Sequence, residues 1–267
     1  MAVEVSFKNP GKNLEWLVKQ FLYISFDGKS EVLDKFIPRD DISLVFHFNT
    51  PPYMLKPVEG LLPAYFIAPV ITKANLMRIS KKNETLVVTC KPAVFSRIFN
   101  ISLAPGPHMY LPLPETPFHN LWQELTRINN MEDRVALFEK FVYDIFPGTY
   151  VPDEVDTFYE KILTGGFNIP VTVLEKSLAV SERTIQRQFK SRIGVCPKTL
   201  ARIVRVNYLW KKLNNKGPVD YQNVVFDGNY FDQTHFIKDF KELTDETPGR
   251  FFKRDLQYVK ILSGKKD

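Results

Sequence analysis

Four polar side chains recur at helical spacing within residues 171–194, VTVLEKSLAVSERTIQRQFKSRIG. One face of the predicted helix carries two arginines, a glutamine and a lysine: Arg183, Gln186, Arg187 and Lys190. The opposite face carries Ile185 and Phe189, which lie one turn apart and can bury against a preceding helix. In the major groove of DNA, arginine can pair with guanine and glutamine with adenine. The chemistry that this pattern predicts is noncovalent recognition of base edges.

A second segment of the same design spans residues 219–252, VDYQNVVFDGNYFDQTHFIKDFKELTDETPGRFF. Its apolar stripe would consist of Phe236, Phe240 and Leu243. Its outward side would carry Thr234, Lys238 and Lys241, flanked by Gln233 and Ile237. A single exposed basic helix is usually a solvated surface. Two such helices in one chain favour DNA recognition instead.

The elements that position these side chains begin at definable residues. Ser181 and Asp232 are N-cap candidates, because a side-chain oxygen there can accept a hydrogen bond from a free backbone amide. A short helix that ends near Leu178 and a tight turn precede Ser181, which predicts a helix-turn-helix unit. Residues 197–213, PKTLARIVRVNYLWKKL, predict a linking helix. Two readers on one rigid linker can address successive major-groove faces, about 34 Å apart.

Residues 155–255 resemble the AraC/XylS family of transcription regulators, through SERTIQRQFKSRIGVCPK, YFDQTHFIKDFKELTDETPGRF and the spacing between them. The resemblance implies a sequence-specific DNA-binding regulator with two tandem helix-turn-helix motifs. It implies base contacts from Arg183, Gln186, Arg187, Gln233, Thr234 and Lys238. It implies phosphate contacts from Ser181, Lys190, Asp232, His235 and Lys241, with packing as the alternative for Lys190 and His235.

The sequence departs from the family pattern at two turns. Ala179 stands where the first turn usually has glycine, and Asn229, next to Gly228, stands where the second does. Asparagine tolerates a left-handed backbone fairly well, whereas alanine there costs roughly 1 kcal/mol or more. We therefore expect the first turn to differ slightly in geometry.

The region before these helices has a strand-like pattern. From Val3 to Cys90, β-branched and aromatic runs recur about every ten residues: FLYISF, VLDKFI, ISLVFHF, AYFIAPVIT, NLMRIS and TLVVTC. They predict an antiparallel sheet curled into a barrel or sandwich. The segments IPRDDISLVFHF and TLVVTCKPAVFSRIF weakly resemble the degenerate barrel of one branch of the same family, which implies a regulatory or oligomerising module and identifies no ligand.

The predicted fold class is α+β. A β-rich, cupin-like or degenerate-barrel domain is expected at residues 1–115, a helical connector at 116–150 and an all-α DNA-binding domain at 151–260. In the connector, apolar residues recur at helical spacing on either side of Asn129–Asn130, which predicts a helical hairpin. This hairpin could form a dimer seam through Trp122, Leu125 and Phe138, or pack on the barrel, and the sequence alone leaves both open.

Composition limits the chemistry that is expected. A formal charge of +6 over 267 residues permits nucleic acid, an anionic membrane surface or acidic ligands as partners. The two cysteines, Cys90 and Cys196, lie in unrelated contexts, so neither a disulfide nor a thiolate zinc site is indicated. His47 is interpreted as a structural or surface histidine, because a metal site normally draws several ligands together. We expect no metal, no cofactor and no catalysis.

The expected setting is cytoplasmic, since the N-terminus lacks a signal-peptide pattern and no run reaches the roughly 20 apolar residues of a membrane span. The expected partner is double-stranded DNA. RNA polymerase, a small-molecule effector and a second copy of the chain are further options, and no membrane partner is expected. Two other classes stay open: an enzyme built on the barrel, for which no nucleophile and base are recognisable, and a protein-interaction module. The module predicts that the faces of residues 183–190 and 234–241 are covered or point apart.

Overall fold

The computed structural model describes residues 2–104, 110–164, 171–172, 180–213 and 225–251. The β strands all precede residue 91. They are β1 (Ala2–Lys8), β2 (Val18–Asp27), β3 (Val32–Phe36), β4 (Ile42–His47), β5 (Tyr53–Lys56), β6 (Gly60–Leu61), β7 (Tyr65–Ala68), β8 (Asn75–Ile79) and β9 (Lys82–Cys90). A short 3₁₀ helix at Lys12–Leu14 joins β1 to β2.

The strands form two open antiparallel sheets. The larger sheet has the order β1-β2-β9-β4-β7, and the smaller has the order β3-β8-β5-β6. Strand β9 lies at the centre of the larger sheet, where Val88 pairs with Phe21 of β2 and with Leu44 of β4. All three side chains are buried. The apolar character of β9 follows from the burial of both of its faces, since every residue from Thr85 to Cys90 is buried.

Strands β1, β5 and β6 match none of the runs predicted from the sequence. In β1 the apolar residues alternate with polar ones. Its Val5 and Phe7 pack against a cluster of buried residues in β2, β8 and β9. Strands β5 and β6 contain only four and two residues. Their pairing is set by tertiary register, such as Met54 opposite Met77 of β8, which short segments do not reveal.

The helices follow the strands. They are α1 (Pro92–Ile98), α2 (Glu115–Thr126), α3 (Met131–Ile145), α4 (Glu154–Thr164), α5 (Glu182–Ile193), α6 (Pro197–Leu213), α7 (Gln233–Thr244) and α8 (Pro248–Phe251). Helix α1 begins with proline at its first position, where the missing amide hydrogen would have no partner within the helix. Among the described residues, no helix combines the length and the apolar character that a membrane crossing needs. The predicted α+β class, with a β-rich N-terminal region and a helical C-terminal region, is confirmed.

The connector hairpin consists of α2 and α3, and it packs on the β-rich region. Asn130 caps α3 by accepting a hydrogen bond from the Asp133 amide at 2.8 Å. The Phe138 ring lies 5.7 Å from the ring of Phe21 and 6.3 Å from that of Phe46, which are on strands β2 and β4. Leu125 is also fully buried. Leu125 and Phe138 therefore belong to the core of the single chain. The hairpin packs on the β-rich region, which is one of the two alternatives that the sequence leaves open.

The proline-rich stretch before α2 is extended where it is described. Leu111 exchanges two backbone hydrogen bonds of 2.9 Å with Ile67 at the edge of the larger sheet. Leu113 is buried in the main core. The position at the sheet edge suits a proline-rich stretch, because a chain with few amide donors cannot join a sheet interior.

Candidate nucleic-acid interface

Helix α5 has the N-cap and the buried apolar stripe that its sequence predicts. Ser181 is the N-cap, and its hydroxyl accepts a hydrogen bond from the Thr184 amide at 3.3 Å. Ile185 and Phe189 are completely buried, and the Phe189 ring lies 5.2 Å from the ring of Phe158 on α4. With its inner face fixed in this way, α5 exposes the predicted polar side chains: Arg183, Gln186, Arg187 and Lys190.

Helix α7 repeats this arrangement. Asp232 is the N-cap, and its Oδ1 accepts a hydrogen bond from the His235 amide at 2.7 Å. Phe236, Phe240 and Leu243 are buried. The exposed residues include the remaining predicted contacts: Gln233, Thr234, His235, Lys238 and Lys241. The His235 ring also lies edge-on to the ring of the buried Tyr230, with 5.1 Å between the ring centres. His235 thus packs against the protein and is still exposed to solvent.

The turn before α7 has the predicted backbone. Asn229 has φ of 50°, the left-handed conformation expected for it. Gly228 is buried, and a Cβ there would lie 2.7 Å from Leu209 Cδ1, so glycine permits a close approach to α6. Leu178 and Ala179 of the first turn lie outside the described residues.

The Asp232 cap gives a stability prediction. Asp232→Ala should lower the free energy of unfolding by about 1 kcal/mol, because the His235 amide loses its acceptor. Urea unfolding followed by circular dichroism measures this change. Asp232→Asn is the matched control and should stay close to the parent, since asparagine caps about as well. Equal losses in both variants would assign the effect to the negative charge and contradict the cap.

Two further arginines near these helices serve as anchors. Arg192 of α5 donates to Asp153 Oδ2 at 2.6 Å and to the carbonyl oxygen of Ala93 in α1 at 3.0 Å. Burial raises the pKa of Asp153, but the hydrogen bond and charge of Arg192, together with hydrogen bonding to Asp156, outweigh burial and lower that pKa. The carboxylate therefore stays charged, and α5 is fixed to α1 and to the segment before α4. Sequence reasoning did not identify this role.

The second anchor, Arg202 of α6, holds α7. Its guanidinium donates to Asp239 Oδ1 at 2.8 Å and to Glu242 Oε2 at 2.5 Å, both on α7. Burial raises the pKa of Tyr230, and the nearby Asp239 raises it further, so the phenol keeps its proton. It donates that proton to Asp239 Oδ2 at 3.3 Å. Helices α6 and α7 are thus joined by charge-assisted hydrogen bonds.

The C-terminal ends of α5 and α7, the two reader helices, contact the N-terminal part of the chain. The Leu103 amide donates to the carbonyl oxygen of Ser191 in α5 at 2.7 Å. Lys35 of β3 donates to the carbonyl oxygen of Thr244 in α7 at 2.9 Å and forms an ion pair with Glu246. An open cleft of about 1330 Å³ lies beside this second contact. These contacts fix the helix ends and leave the predicted faces open to solvent.

One apolar residue at this surface has no role in the sequence prediction. Phe231 immediately precedes the Asp232 cap, and 92% of it is exposed. An aromatic ring so exposed at the start of a reader helix could contact a thymine methyl group. The signal was available in the sequence, since Phe231 lies outside the apolar stripe of α7.

The comparisons with known proteins concern the same region. Residues 174–254 match the family model described as "Helix-turn-helix domain". No curated protein sequence matches the chain.

The fold resembles several solved structures at low sequence identity. One is ToxT from Vibrio cholerae (13% identity, TM-score 0.47), covering 94% of this chain and 97% of that one. Another is unsaturated fatty acid bound ToxT from Vibrio cholerae strain SCE256 (15%, TM-score 0.45), covering 87% and 94%. A third is the AraC-like transcriptional activator CuxR (10%, TM-score 0.20), covering 89% and 80%.

Proposed function

We propose that this chain is a DNA-binding transcription regulator of the AraC/XylS type and that its helix-turn-helix domain, matched at residues 174–254, reads DNA. In this proposal, α5 and α7 each enter the major groove of double-stranded DNA. Base contacts come from Arg183, Gln186, Arg187, Gln233, Thr234 and Lys238. Phosphate contacts come from Ser181, Lys190, Asp232, His235 and Lys241.

The observation that carries this proposal is the contrast between two groups of arginines. Arg192 and Arg202 are partly buried and hold carboxylates within the protein. Arg183 and Arg187 are exposed and form no ion pair with any residue in the described ranges. Pairing with the described residues does not compete with DNA for their guanidinium groups, which can donate two parallel hydrogen bonds to guanine.

The linking helix supports simultaneous reading by both units. Helix α6 has 17 residues, so it is about 25 Å long at 1.5 Å per residue. Its Arg202 fixes α7, and its buried Leu200 and Ile203 belong to the same core as Phe189 of α5. A rigid element of this length suits two readers on successive major-groove faces, about 34 Å apart.

For the β-rich region at the N-terminus we propose a regulatory role. The proposed domain limits are 1–115 for the β-rich regulatory domain, 116–150 for the connector and 151–260 for the DNA-binding domain. A small-molecule effector would act on the first of these domains. RNA polymerase and a second copy of the chain are proposed as further partners, and the cytoplasm as the location.

The proposed role of Arg187 can be tested by substitution. Arg187→Ala should weaken binding to a selected operator by about 5- to 150-fold, equivalent to roughly 1–3 kcal/mol, and relax preference at one base pair. A binding site obtained by selection from random duplexes supplies the DNA, and fluorescence anisotropy at fixed salt gives Kd for every single-base variant.

The matched control is Arg127→Ala, an exposed arginine that caps α2 in the connector. It removes the same charge from the whole protein and should leave Kd and base preference unchanged. An Arg187→Ala variant with the parent's affinity and specificity would refute the base contact. A uniform loss at all base pairs would reassign Arg187 to a phosphate.

A further inference from the structure

One phenylalanine of the second helix-turn-helix unit is exposed at the start of its reader helix. Phe231 stands directly before Asp232, the N-cap of α7, and 92% of it is exposed. Within the described ranges, no ring contact includes its side chain. An aromatic side chain in water forgoes the large hydrophobic gain of burial. Single exposed apolar residues are common, so the surroundings of Phe231 decide whether it has a role.

The backbone that leads into Phe231 is fixed by hydrogen bonds. The Asn229 amide donates to the carbonyl oxygen of Phe226 at 3.2 Å, and the Tyr230 amide donates to that of Val225 at 3.0 Å. With Asn229 in the left-handed conformation, these two bonds form the Schellman motif that ends a helix. The turn therefore has one defined course where it reaches Phe231.

The backbone that follows Phe231 is fixed as well. Asp232 Oδ1 accepts a hydrogen bond from the His235 amide at 2.7 Å, and α7 begins at Gln233. A phenylalanine side chain rotates about only two bonds, so ordering its ring against a bound surface costs little conformational entropy. Phe231 is thus held ready for a contact before any partner binds.

The fold does not use Phe231 to pack the start of α7. An apolar residue before an N-cap commonly packs against the fourth residue of the helix, which is Phe236 in α7. Here the buried Tyr230 makes that contact, with 5.5 Å between its ring centre and that of Phe236. Replacing the exposed Phe231 should therefore leave the free energy of unfolding close to that of the parent.

The neighbours of Phe231 indicate DNA as the partner of its ring. Gln233 and Thr234 in the first turn of α7 are exposed, and so is Lys238 in the next turn. A recognition helix places its N-terminal residues against base edges in the major groove, where glutamine pairs with adenine. The apolar group that base edges present in that groove is the 5-methyl group of thymine. A ring two residues before Gln233 is placed to cover such a group.

We propose that Phe231 is a specificity-determining residue, whose ring packs on the 5-methyl group of an operator thymine. This inference rests on the proposed function and deepens it, because it adds a base contact from a residue outside the predicted polar set. The contact buries apolar surface and neutralises no phosphate. It should therefore raise affinity for thymine without changing the dependence of binding on salt.

The test replaces each thymine of the selected operator in turn by deoxyuridine, which differs only in lacking the methyl group. Fluorescence anisotropy at fixed salt gives Kd for the full-length protein on each duplex. For the parent, at least one replacement should raise Kd about fourfold, equivalent to roughly 0.8 kcal/mol for one buried methyl group. Phe231→Ala should raise Kd on the thymine operator by at least about fourfold and should bind the thymine and deoxyuridine duplexes of that position equally well.

Phe226→Ala is the matched control, since Phe226 is 86% exposed and lies in the helical segment before the turn. The first helix of such a unit crosses the DNA backbone, so this variant should keep the parent's preference for thymine over deoxyuridine. Phe231→Leu retains an apolar side chain and should keep part of that preference. A full preference in Phe231→Ala, or its loss in Phe226→Ala as well, would overturn the proposal.

The failure of this inference can be distinguished from failure of the proposed function. If selection from random duplexes yields no operator, both are refuted. If operator binding depends on Arg187 but the preference at every thymine is independent of Phe231, this inference alone is refuted. The exposed ring would then be assigned to a contact with a protein partner.

Discussion

Gly194→Ala should lower the free energy of unfolding by about 2–6 kcal/mol and weaken operator binding. Gly194 ends α5 with φ of 96°, and a non-glycine residue in that left-handed region costs about 1–3 kcal/mol. A Cβ there would also lie 2.5 Å from the backbone carbonyl oxygen of Leu103. Because that oxygen belongs to main chain, relieving the clash requires α5 to move relative to the segment at Leu103, at a further cost of about 1–3 kcal/mol.

Urea unfolding gives the loss of stability, and fluorescence anisotropy with operator DNA gives the loss of affinity. Gly148→Ala is the matched control, since the nearest atom to its added Cβ is a Phe146 ring carbon at 3.8 Å. It should leave both quantities close to those of the parent. Parental stability in Gly194→Ala would mean that α5 is not closely packed against Leu103 in solution.

Arg134→Met should lower the free energy of unfolding by about 3 kcal/mol. The Arg134 side chain is only 2% exposed, and it donates to Glu84 Oε1 of β9 at 2.5 Å and to the carbonyl oxygen of Leu125 at 3.1 Å. Its guanidinium also lies 3.7 Å from the centre of the Phe48 ring. Methionine fills much of the volume but removes the cationic partner of Glu84, whose Oε1 keeps the Tyr23 hydroxyl as a donor, and one of the donors to the Leu125 carbonyl oxygen. Loss of one partner of a buried pair costs about 3–5 kcal/mol, and the partial exposure of Glu84 places this case at the lower end.

Thermal and urea unfolding measure this effect, with Arg127→Met as the control for an exposed arginine of the same hairpin. The double variant Arg134→Met with Glu84→Gln should recover part of the loss, because the unpaired charge is removed with its partner. No recovery would show that the hydrogen bond to Leu125 and the packing on Phe48 carry the stabilisation. A loss in Arg127→Met as large as in Arg134→Met would contradict the role of burial.

The two reader helices could be predicted because their determinants are local. Ser181 and Asp232 cap amides only three residues away, and the stripes of α5 and α7 are spaced by the helical period. The exposure of Arg187 follows from the same period once Phe189 faces inward. Most strands of the β-rich region were predictable for a similar reason, since β-branched and aromatic runs favour pleated, half-buried surfaces.

Sequence reasoning could not tell which arginines are exposed and which form ion pairs within the protein, because those ion pairs involve residues far away in the chain. Arg187 and Arg192 are both arginines of α5, yet Arg192 forms an ion pair with Asp153, which lies 39 positions earlier in the chain. Arg202 likewise depends on Asp239, 37 positions later. Long-range ion pairs have no period, so the sequence contains no pattern that identifies them.

The sequence by itself determined the two helix-turn-helix units, their capped starts and their outward polar faces, since each depends on contacts within one or two helical turns. Only the tertiary structure decided which arginines are anchors, that the connector hairpin packs on the sheets, and that His47 and Asn75 meet in one cavity. The physical reason is distance along the chain. His47 and Asn75 are on different sheets, and only the packing of those sheets brings both residues into the lining of one mainly apolar cavity.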